Sequence, residues 1–530
     1  MVTSEPTRQN NLTLLWNQLL EHNLHPEDEF EIAALLESFG WTDKRIMEEF
    51  GILNVFQLAT ELKLLFQSEI AVSSNSYAEK ETKWSAFFRY FREFMRGMIF
   101  ALPMGISVLA MLSLRFSLWS YVNLSTRTAT SIAIGTILSF MTAGGFMQSM
   151  AKQGYFYIFQ DSFRMLRKMV FRLIIVGAIV TVLVSLVGMV LDILYPELPY
   201  DMLLIALLFY IVLNTLWLSV AVLYIIRKEL WFTLLLVIGI ALVYVGFRLV
   251  HMNIIVAQLI AMMIVVLLSL FLLRSFLKRA EKEKDRGINP RLPKASVTVY
   301  NSAPFFLYGF FYFTLLFMDR VMAWSDNSGI VPFVIWFRGD YELGLDFALI
   351  ALTIPMGISE IIVSRLMNTV WSSQKDYLAK QYQKMNNNFT LQYRRNIIQM
   401  AMVTLINSVV VYFSIHWIFS RHFLFLAGRV QIDSITNQVF LIALIAYSFL
   451  SIGLLHSVVL FSLSRADLVM RPIMLAVVVD LVVGFLLSRW FSYPEAVWGL
   501  VAGCVTFLVL TSRHAYNVLH HLDYHMYYLS

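Results

Sequence analysis

From about residue 97 onward the chain alternates long apolar stretches with short polar breaks. Twelve stretches stand out, at about 97–119, 127–150, 169–194, 202–226, 230–250, 254–278, 301–324, 344–367, 397–420, 435–461, 469–490 and 494–512. At 1.5 Å rise per residue, each approaches or exceeds the roughly 30 Å of a bilayer's hydrocarbon. The first 80 residues are patterned differently. Apolar positions recur at helical spacing in 10–22 (NNLTLLWNQLLEH) and 27–40 (EDEFEIAALLESFG), and Gly40 and Gly51 mark helix ends. Thr42 is placed to cap a third helix, and 52–66 predicts a fourth. Residues 1–80 are therefore expected to be a small soluble helical module, read as a stabilising cap or interaction module rather than an enzyme. The segment 73–82 (SSNSYAEKET) reads as a linker. The basic and aromatic run KWSAFFRYFREFMRGM (83–98) predicts an amphipathic helix lying at a membrane surface, the domain being bounded at 81–96.

Composition turns this pattern into a class. Of 530 residues, 58% are hydrophobic and 14% charged, against about a quarter charged in soluble domains, and the mean hydropathy is +0.67. The fold class expected is an all-α polytopic membrane protein. The net charge of +6 does not imply nucleic-acid binding, because Lys and Arg concentrate in alternate loops: Lys152 to Lys168, Arg227 and Lys228, the run 274–294, Lys375 to Arg395, and Arg465 with Arg471. Intervening loops, such as YPELPYD (195–201), are acidic, and Arg421 and Arg429 are minor exceptions. Both termini are thereby expected to be cytoplasmic, in the cell membrane. No signal-peptide pattern opens the chain. A single cysteine, Cys504, excludes disulfides within one chain. The basic linker 279–300 divides the spans into lobes at 97–278 and 301–512, six and six, with a tail at 513–530; such a layout fits two related halves around a midplane cavity.

Residues 301–367 hold the unusual chemistry. Two apolar stretches flank what reads as an acidic aqueous connector, SDNSGIVPFVIWFRGDYELGLD, yet the region retains Asp319, Arg320, Asp346, Glu360 and Arg365. Ionisable groups at membrane depth cost several kcal/mol and mark interior or cavity positions. Glu360 and Asp480, the latter in LAVVVDLVVGFLL, are candidates for a protonation or cation-binding site that couples ion entry to rocking of the halves. The plainer reading is a protonated or hydrogen-bonded structural acid. Asp319, Arg320, Asp346, Arg115 and Arg248 are candidates for a polar substrate path, although long basic side chains near span ends also snorkel. Asn214 and Asn407 read as interhelical hydrogen-bonding amides. Pro103, Pro304 and Pro355 mark breaks or kinks. His521 and His525 are four apart in the tail, but no third ligand is evident, and an interfacial aromatic helix is the better reading. No phosphate-binding, zinc-protease or nucleophile-elbow motif occurs, so no cofactor and no metal is expected.

The pattern Asp319–Arg320–x–x–x–Trp324, an acidic connector, then Tyr341, Asp346–x–Ala348, Ala351 and Ile354–Pro355 resembles the membrane transporters of the Pel exopolysaccharide system, in the multidrug/oligosaccharidyl-lipid/polysaccharide (MOP) exporter superfamily. The similar part is about 70 residues. The 80-residue N-terminal module departs from the family, which begins close to its first span. So does Arg365–Leu366–Met367, where the family has an Arg-x-acid pattern. The resemblance implies a two-lobed exporter moving a glycan or lipid-linked glycan, by alternating access or as a conduit beside a synthase; residues 1–80, outside the resemblance, are the expected site for a cytoplasmic glycosyltransferase or synthase complex to dock. Three functions compete: glycan export, a polytopic glycosyltransferase using the acids of GDYEL (339–343), and a non-transporting scaffold of a synthase complex. A small-molecule exporter of the same superfamily is a further alternative.

Overall fold

The computed structural model describes residues 12, 14–16, 29–64, 83–99, 102–160, 162–284, 292–326, 333–373, 382–420 and 432–527. Most of the expected first helix at 10–22, the linker at 73–82, much of the basic linker 279–300, Lys375 and Lys380, Arg421 and Arg429, and the end of the tail lie outside them. The chain forms two compact units, Met1–Phe91 and Arg92–Ser530.

The first unit is helical, as its spacing predicts: α1 (Glu29–Ser38), α2 (Asp43–Phe50) and α3 (55–64). Gly40 and Gly51 take φ of 79° and 70°, the left-handed conformation that suits glycine at a helix end, and the Gly51 amide closes on Met47 O. Leu12, Leu15, Trp16, Ile32, Leu36, Ile46, Val55, Leu58 and Leu62 form its core. Thr42 occupies the capping position, but its side chain makes no capping bond. Instead the Asp43 carboxylate accepts from the Val55 amide at 2.8 Å, joining α2 to α3.

In the second unit the elements are α4 (Lys83–Ile99, which begins in the first unit), α5 (Leu102–Leu114), α6 (Thr126–Phe159), α7 (Phe163–Leu194), α8 (Tyr200–Ile225), α9 (Glu229–Tyr244), α10 (Ile254–Lys284), α11 (Ala295–Trp324), α12 (Gly339–Leu349), α13 (Thr353–Ser373), α14 (Tyr382–Ser420), α15 (Ser434–Ser462), α16 (Asp467–Trp490), α17 (Val497–His520) and α18 (Leu522–Tyr527). A π turn (Val245–Leu249) extends α9, and 3-10 turns join α12 to α13 and precede α17. Among the described residues eleven helices are long and apolar enough to cross a membrane, α12 and α13 acting as one. They match eleven of the twelve expected spans. The remaining one, 97–119, is described only in part, since residues 100 and 101 lie outside the described residues; its helix α5 ends at Leu114, before the expected end, where the chain turns at Arg115, which has a φ of 70°. The second correction concerns the connector. Its part GDYELGLD is helical in α12, with Tyr341 and Leu345 fully buried and Glu342 nearly so.

Two packing groups emerge. Helices α5 to α10 pack on one another around α6 and α8, and α11 to α17 around α15, α16 and α17; the groups meet along α6 and α11. The best apolar windows of α6 and α15 are each 67% buried, against 22% for α7 and 17% for α14, so the latter two form the rim. Their exposed faces, including Ile179, Leu183, Leu186, Leu405, Ile406 and Phe413, are apolar surface that hydrocarbon covers. Buried amides act between helices, as expected. Pro355 has no N–H for the Ala351 carbonyl, and Asn407 Nδ2 donates to that oxygen at 2.6 Å from α14. Asn214 Nδ2 donates to Thr181 Oγ1.

The α6–α11 seam is made by close approach. Phe140 stacks on Phe313 and Phe317, each at 5.4 Å. One turn along, a Cβ on Gly144 would lie 2.8 Å from Gly309 O, and one on Gly309 would collide with the Gly144 carbonyl. Gln153 Nε2 donates to Ser302 Oγ (3.0 Å), and the Phe337 amide to Thr130 Oγ1 (3.1 Å). Gly309→Ala is expected to cost about 1–3 kcal/mol through overpacking. Gly188→Ala, whose Cβ meets nothing nearer than 3.9 Å, is the neutral control. Thermal unfolding of the two purified variants in one detergent checks this; equal midpoints would refute a tight crossing.

Candidate functional site

The last turns of α11 and the first turns of α12 hold most of the charge. The chain returns from one helix to the other through a main-chain bond from Trp336 N to Trp324 O (2.9 Å) and contact between the Trp324 and Phe337 rings. Residues 342 and 346 are one helical turn apart, so both carboxyl groups lie on the same side of α12. Arg320 meets them with two prongs: Nη1 pairs with Glu342 Oε2, and Nη2 lies 3.5 Å from Asp346 Oδ1. The Phe317 ring, one turn back on α11, lies 5.1 Å from the guanidinium carbon. Asp319 is rotated by one residue from Arg320 and accepts instead from the Tyr341 hydroxyl at 2.8 Å.

Asp480 reaches the same region from α16 and is fully buried. Glycines bring α17 against it: a Cβ on Gly499 would stand 2.6 Å from Asp480 O, and one on Gly503 would stand 2.9 Å from Asp480 Cβ. Its carboxyl interacts electrostatically with Asp319, and Cys504 with both. Neither oxygen of Asp480 has a hydrogen-bond partner among the described residues; Asp319 Oδ1, Glu342 Oε1 and Tyr447 Oη also lack one.

One guanidinium thus lies among three buried carboxyl groups, those of Asp319, Glu342 and Asp480, and the half-buried Asp346. Arg320 compensates Glu342 and Asp346, and Tyr341 gives Asp319 one hydrogen bond, but Asp480 has nothing. An ionised carboxylate without a hydrogen bond in a dry interior costs far more than packing returns. Two like charges held together add repulsion. The Asp319–Asp480 pair therefore calls for a proton or a small cation. Among the described residues no three His, Cys, Asp or Glu side chains are placed to hold one metal ion.

The structure gathers Asp319, Arg320, Asp346 and Asp480 and leaves the other candidates apart. Glu360 is exposed on α13, beside α4. Arg115 is half-buried in the turn after α5, where its carbonyl accepts from Val122 N (2.9 Å). Arg248 is exposed on the π turn, its guanidinium 5.5 Å from the Phe247 ring. Glu342, the main partner of Arg320, escaped the sequence reading because the acid-rich GDYEL looks aqueous; its spacing of four from Asp346 was the available signal. The Asp340 carboxylate accepts from the Tyr493 hydroxyl on another element. His521 Nδ1 bonds to Asn517 O (3.1 Å), while the His525 side chain lies outside the described residues.

Removing the shared cation tests the network. Arg320→Met leaves the buried Glu342 and the half-buried Asp346 without their shared cation and is expected to destabilise by about 3–5 kcal/mol. Arg320→Met/Glu342→Met, which removes both ends of the main pair, should recover much of that loss. Unfolding midpoints and monodispersity on gel filtration check it; a double variant no better than the single would show that the pair is not the stabilising unit.

No protein-family model matches the chain, and no curated protein is similar to it. Solved structures are. A mutant of the Vibrio cholerae MATE transporter VcmN matches with a TM-score of 0.53 and 13% identity, over 81% of this chain and 95% of that one. A multidrug resistance MATE family transporter of the MOP superfamily matches in its outward-facing conformation (TM-score 0.53, 10% identity, 81% and 96% covered). Such a transporter matches in its inward-facing conformation as well (TM-score 0.52, 11% identity, 80% and 98% covered). The helices of this chain are arranged in the fold of the MATE transporters.

Proposed function

We propose that this chain is a multi-pass exporter of the cell membrane, working by alternating access, and that its cargo is an exopolysaccharide or lipid-linked glycan. The observation that carries the reading is the convergence of Asp319, Arg320, Tyr341 and Asp346 with Asp480 in one buried network. Four of these five residues belong to the pattern that resembles the Pel-type transporters, and contact among them gives that pattern a physical unit. The fold, shared with transporters in both inward- and outward-facing conformations, supports alternating access.

In this reading Asp480 and Asp319 are the coupling pair. Protonation removes a repulsion between α11 and α16 and lets them stay packed; loss of the proton sets two like charges against each other. The strain falls on α11, whose Phe313 and Phe317 form the seam with α6. One helix thus joins the ionisable pair to the surface that must part. Both termini are placed in the cytoplasm by the loop charges. There the N-terminal unit, whose exposed Phe30 and Phe56 rings meet at 5.9 Å, is available to a glycosyltransferase or synthase partner. A second reading, a small-molecule exporter, is favoured by one observation: the neighbours in fold include multidrug transporters.

Extracellular polysaccharide is the deciding measurement, in a deletion strain complemented with wild type, Asp480→Asn, Asp319→Asn or Glu360→Gln at matched membrane abundance. Wild type is expected to restore secretion, the two buried-acid variants to lose most of it, and the exposed Glu360→Gln to retain it. Equal restoration by all four would leave export standing and remove the coupling pair. If secretion is unaffected by deletion while efflux of a fluorescent organic cation from proton-loaded vesicles follows the same variants, the cargo is a small molecule.

A further inference from the structure

The connection between α5 and α6 does not run over the surface as connections usually do. It turns inward at Arg115, whose φ of 70° is a left-handed conformation that a non-glycine residue adopts at a cost. Residues 115–122 then pair with themselves. Val122 N donates to Arg115 O (2.9 Å), Ser117 N donates to Ser120 O (2.8 Å), and Phe116 and Tyr121 form one antiparallel bridge. The Ser117 and Ser120 hydroxyls meet at 2.6 Å across the turn. Phe116, Ser117 and Leu118 are fully buried, so this small hairpin is a plug seated among the helices of the first packing group.

Ring contacts and one side-chain amide hold it there. Phe116 lies against Tyr244 of α9 and Phe247 of the π turn, at 6.4 and 6.1 Å, and Tyr121 meets Phe247 at 5.5 Å. Leu118 sits over Gly239 of α9, where a Cβ would come within 2.9 Å of its Cδ1. Buried carbonyls require donors. Gln258, in the second turn of α10, supplies them: its Nε2 donates to Ser117 O (3.2 Å) and to Ser120 O (3.0 Å). Gln258 is itself fully buried, and its Oε1 has no hydrogen-bond partner among the described residues.

A row of rings leads from the plug to the seam. Trp119 packs edge to face on Trp217 of α8 (5.6 Å), Trp217 lies on Phe140 of α6 (4.8 Å), and Phe140 stacks on Phe313 and Phe317 of α11 (each 5.4 Å). We propose that the hairpin 115–122 is a gate of the first packing group, latched by Gln258 and shut while α6 and α11 are joined, and that it is released when they part. The proposal rests on the alternating-access part of the export reading and not on its cargo. Parting of the seam takes two rings away from Phe140, the support on which Trp217 and then Trp119 rest. Release also relieves the backbone at Arg115, and the seat of the plug contains a π turn, an irregularity that helices keep mostly where function needs it.

The test uses the purified full-length protein in detergent and a hydrophilic maleimide, with a thiol placed by Ser117→Cys in the plug or by Asn123→Cys on the exposed chain beside it. Cys504 is fully buried and stays; labelling of the wild-type chain sets the background. Position 117 is expected to react severalfold more slowly than 123. Adding Gln258→Leu, which removes the latch, should raise the rate at 117 severalfold and leave 123 unchanged. Adding Asp480→Asn, which keeps the acid pair uncharged and the seam joined, should lower the rate at 117. Leu118→Cys replaces Ser117→Cys, and Asp319→Asn replaces Asp480→Asn, where the first choice is not monodisperse. A thiol at 117 that reacts only on unfolding would show a fixed plug, and a rate indifferent to Gln258→Leu would remove the latch. A rate indifferent to the acid variant would show a hairpin that frays by itself; each of these results overturns the proposal. Labelling does not read the cargo, so failure of the glycan reading appears in secretion alone.

Discussion

Arg320 is the point on which the second packing group turns, because it is asked to neutralise more than one cation can. It holds Glu342 and Asp346 from α12 while its neighbour in sequence, Asp319, accepts from Tyr341 and interacts electrostatically with Asp480 on α16. Stability alone does not favour such a group: apolar side chains of similar volume would pack these helices at lower cost. The paired half explains how α11 and α12 stay together. The unpaired half has no structural benefit that would offset its burial, which is why the chemistry of transport is assigned to Asp319 and Asp480 rather than to the whole network.

The seam between the two groups rests on a different physics. Between helices in lipid there is little hydrophobic drive, so association depends on close van der Waals contact and a few hydrogen bonds. Gly144 and Gly309 supply the first by letting backbones meet, and Gln153–Ser302 and Phe337–Thr130 supply the second. An interface of this kind is held by fit. In the proposed reading it parts as a surface when α11 moves, whereas the ion-paired joint between α11 and α12 moves as one body.

Much of this was legible from local pattern. The extent of eleven spans follows from apolar length alone, and the glycine stops at 40 and 51 follow from the backbone they adopt. The failures share one cause, which is that burial of a charge is decided by partners far along the chain. GDYEL reads as aqueous until Arg320, twenty-two residues before Glu342, is seen to enter the same site. Glu360 and Asp480 are alike as lone acids in apolar runs, yet packing exposes one and buries the other. The turn at Arg115 ends its helix earlier than hydropathy suggests, and the Thr42 side chain makes no capping bond although it occupies the capping position.

The placement of the acids also narrows how energy could enter. A metal ion needs several ligands fixed around one point, whereas a proton needs one oxygen and a neighbour whose charge it relieves. Asp480 has two oxygens without partners, and Asp319 has one. Both belong to the second packing group, and Asp319 sits two residues beyond Phe317, a seam residue. In the proposed reading a proton bound there acts on α11, the helix that meets the first group, so the first group need carry no ionisable pair of its own to be moved. The proposed alternating access would use that separation of tasks, chemistry in one group and a fitted surface toward the other.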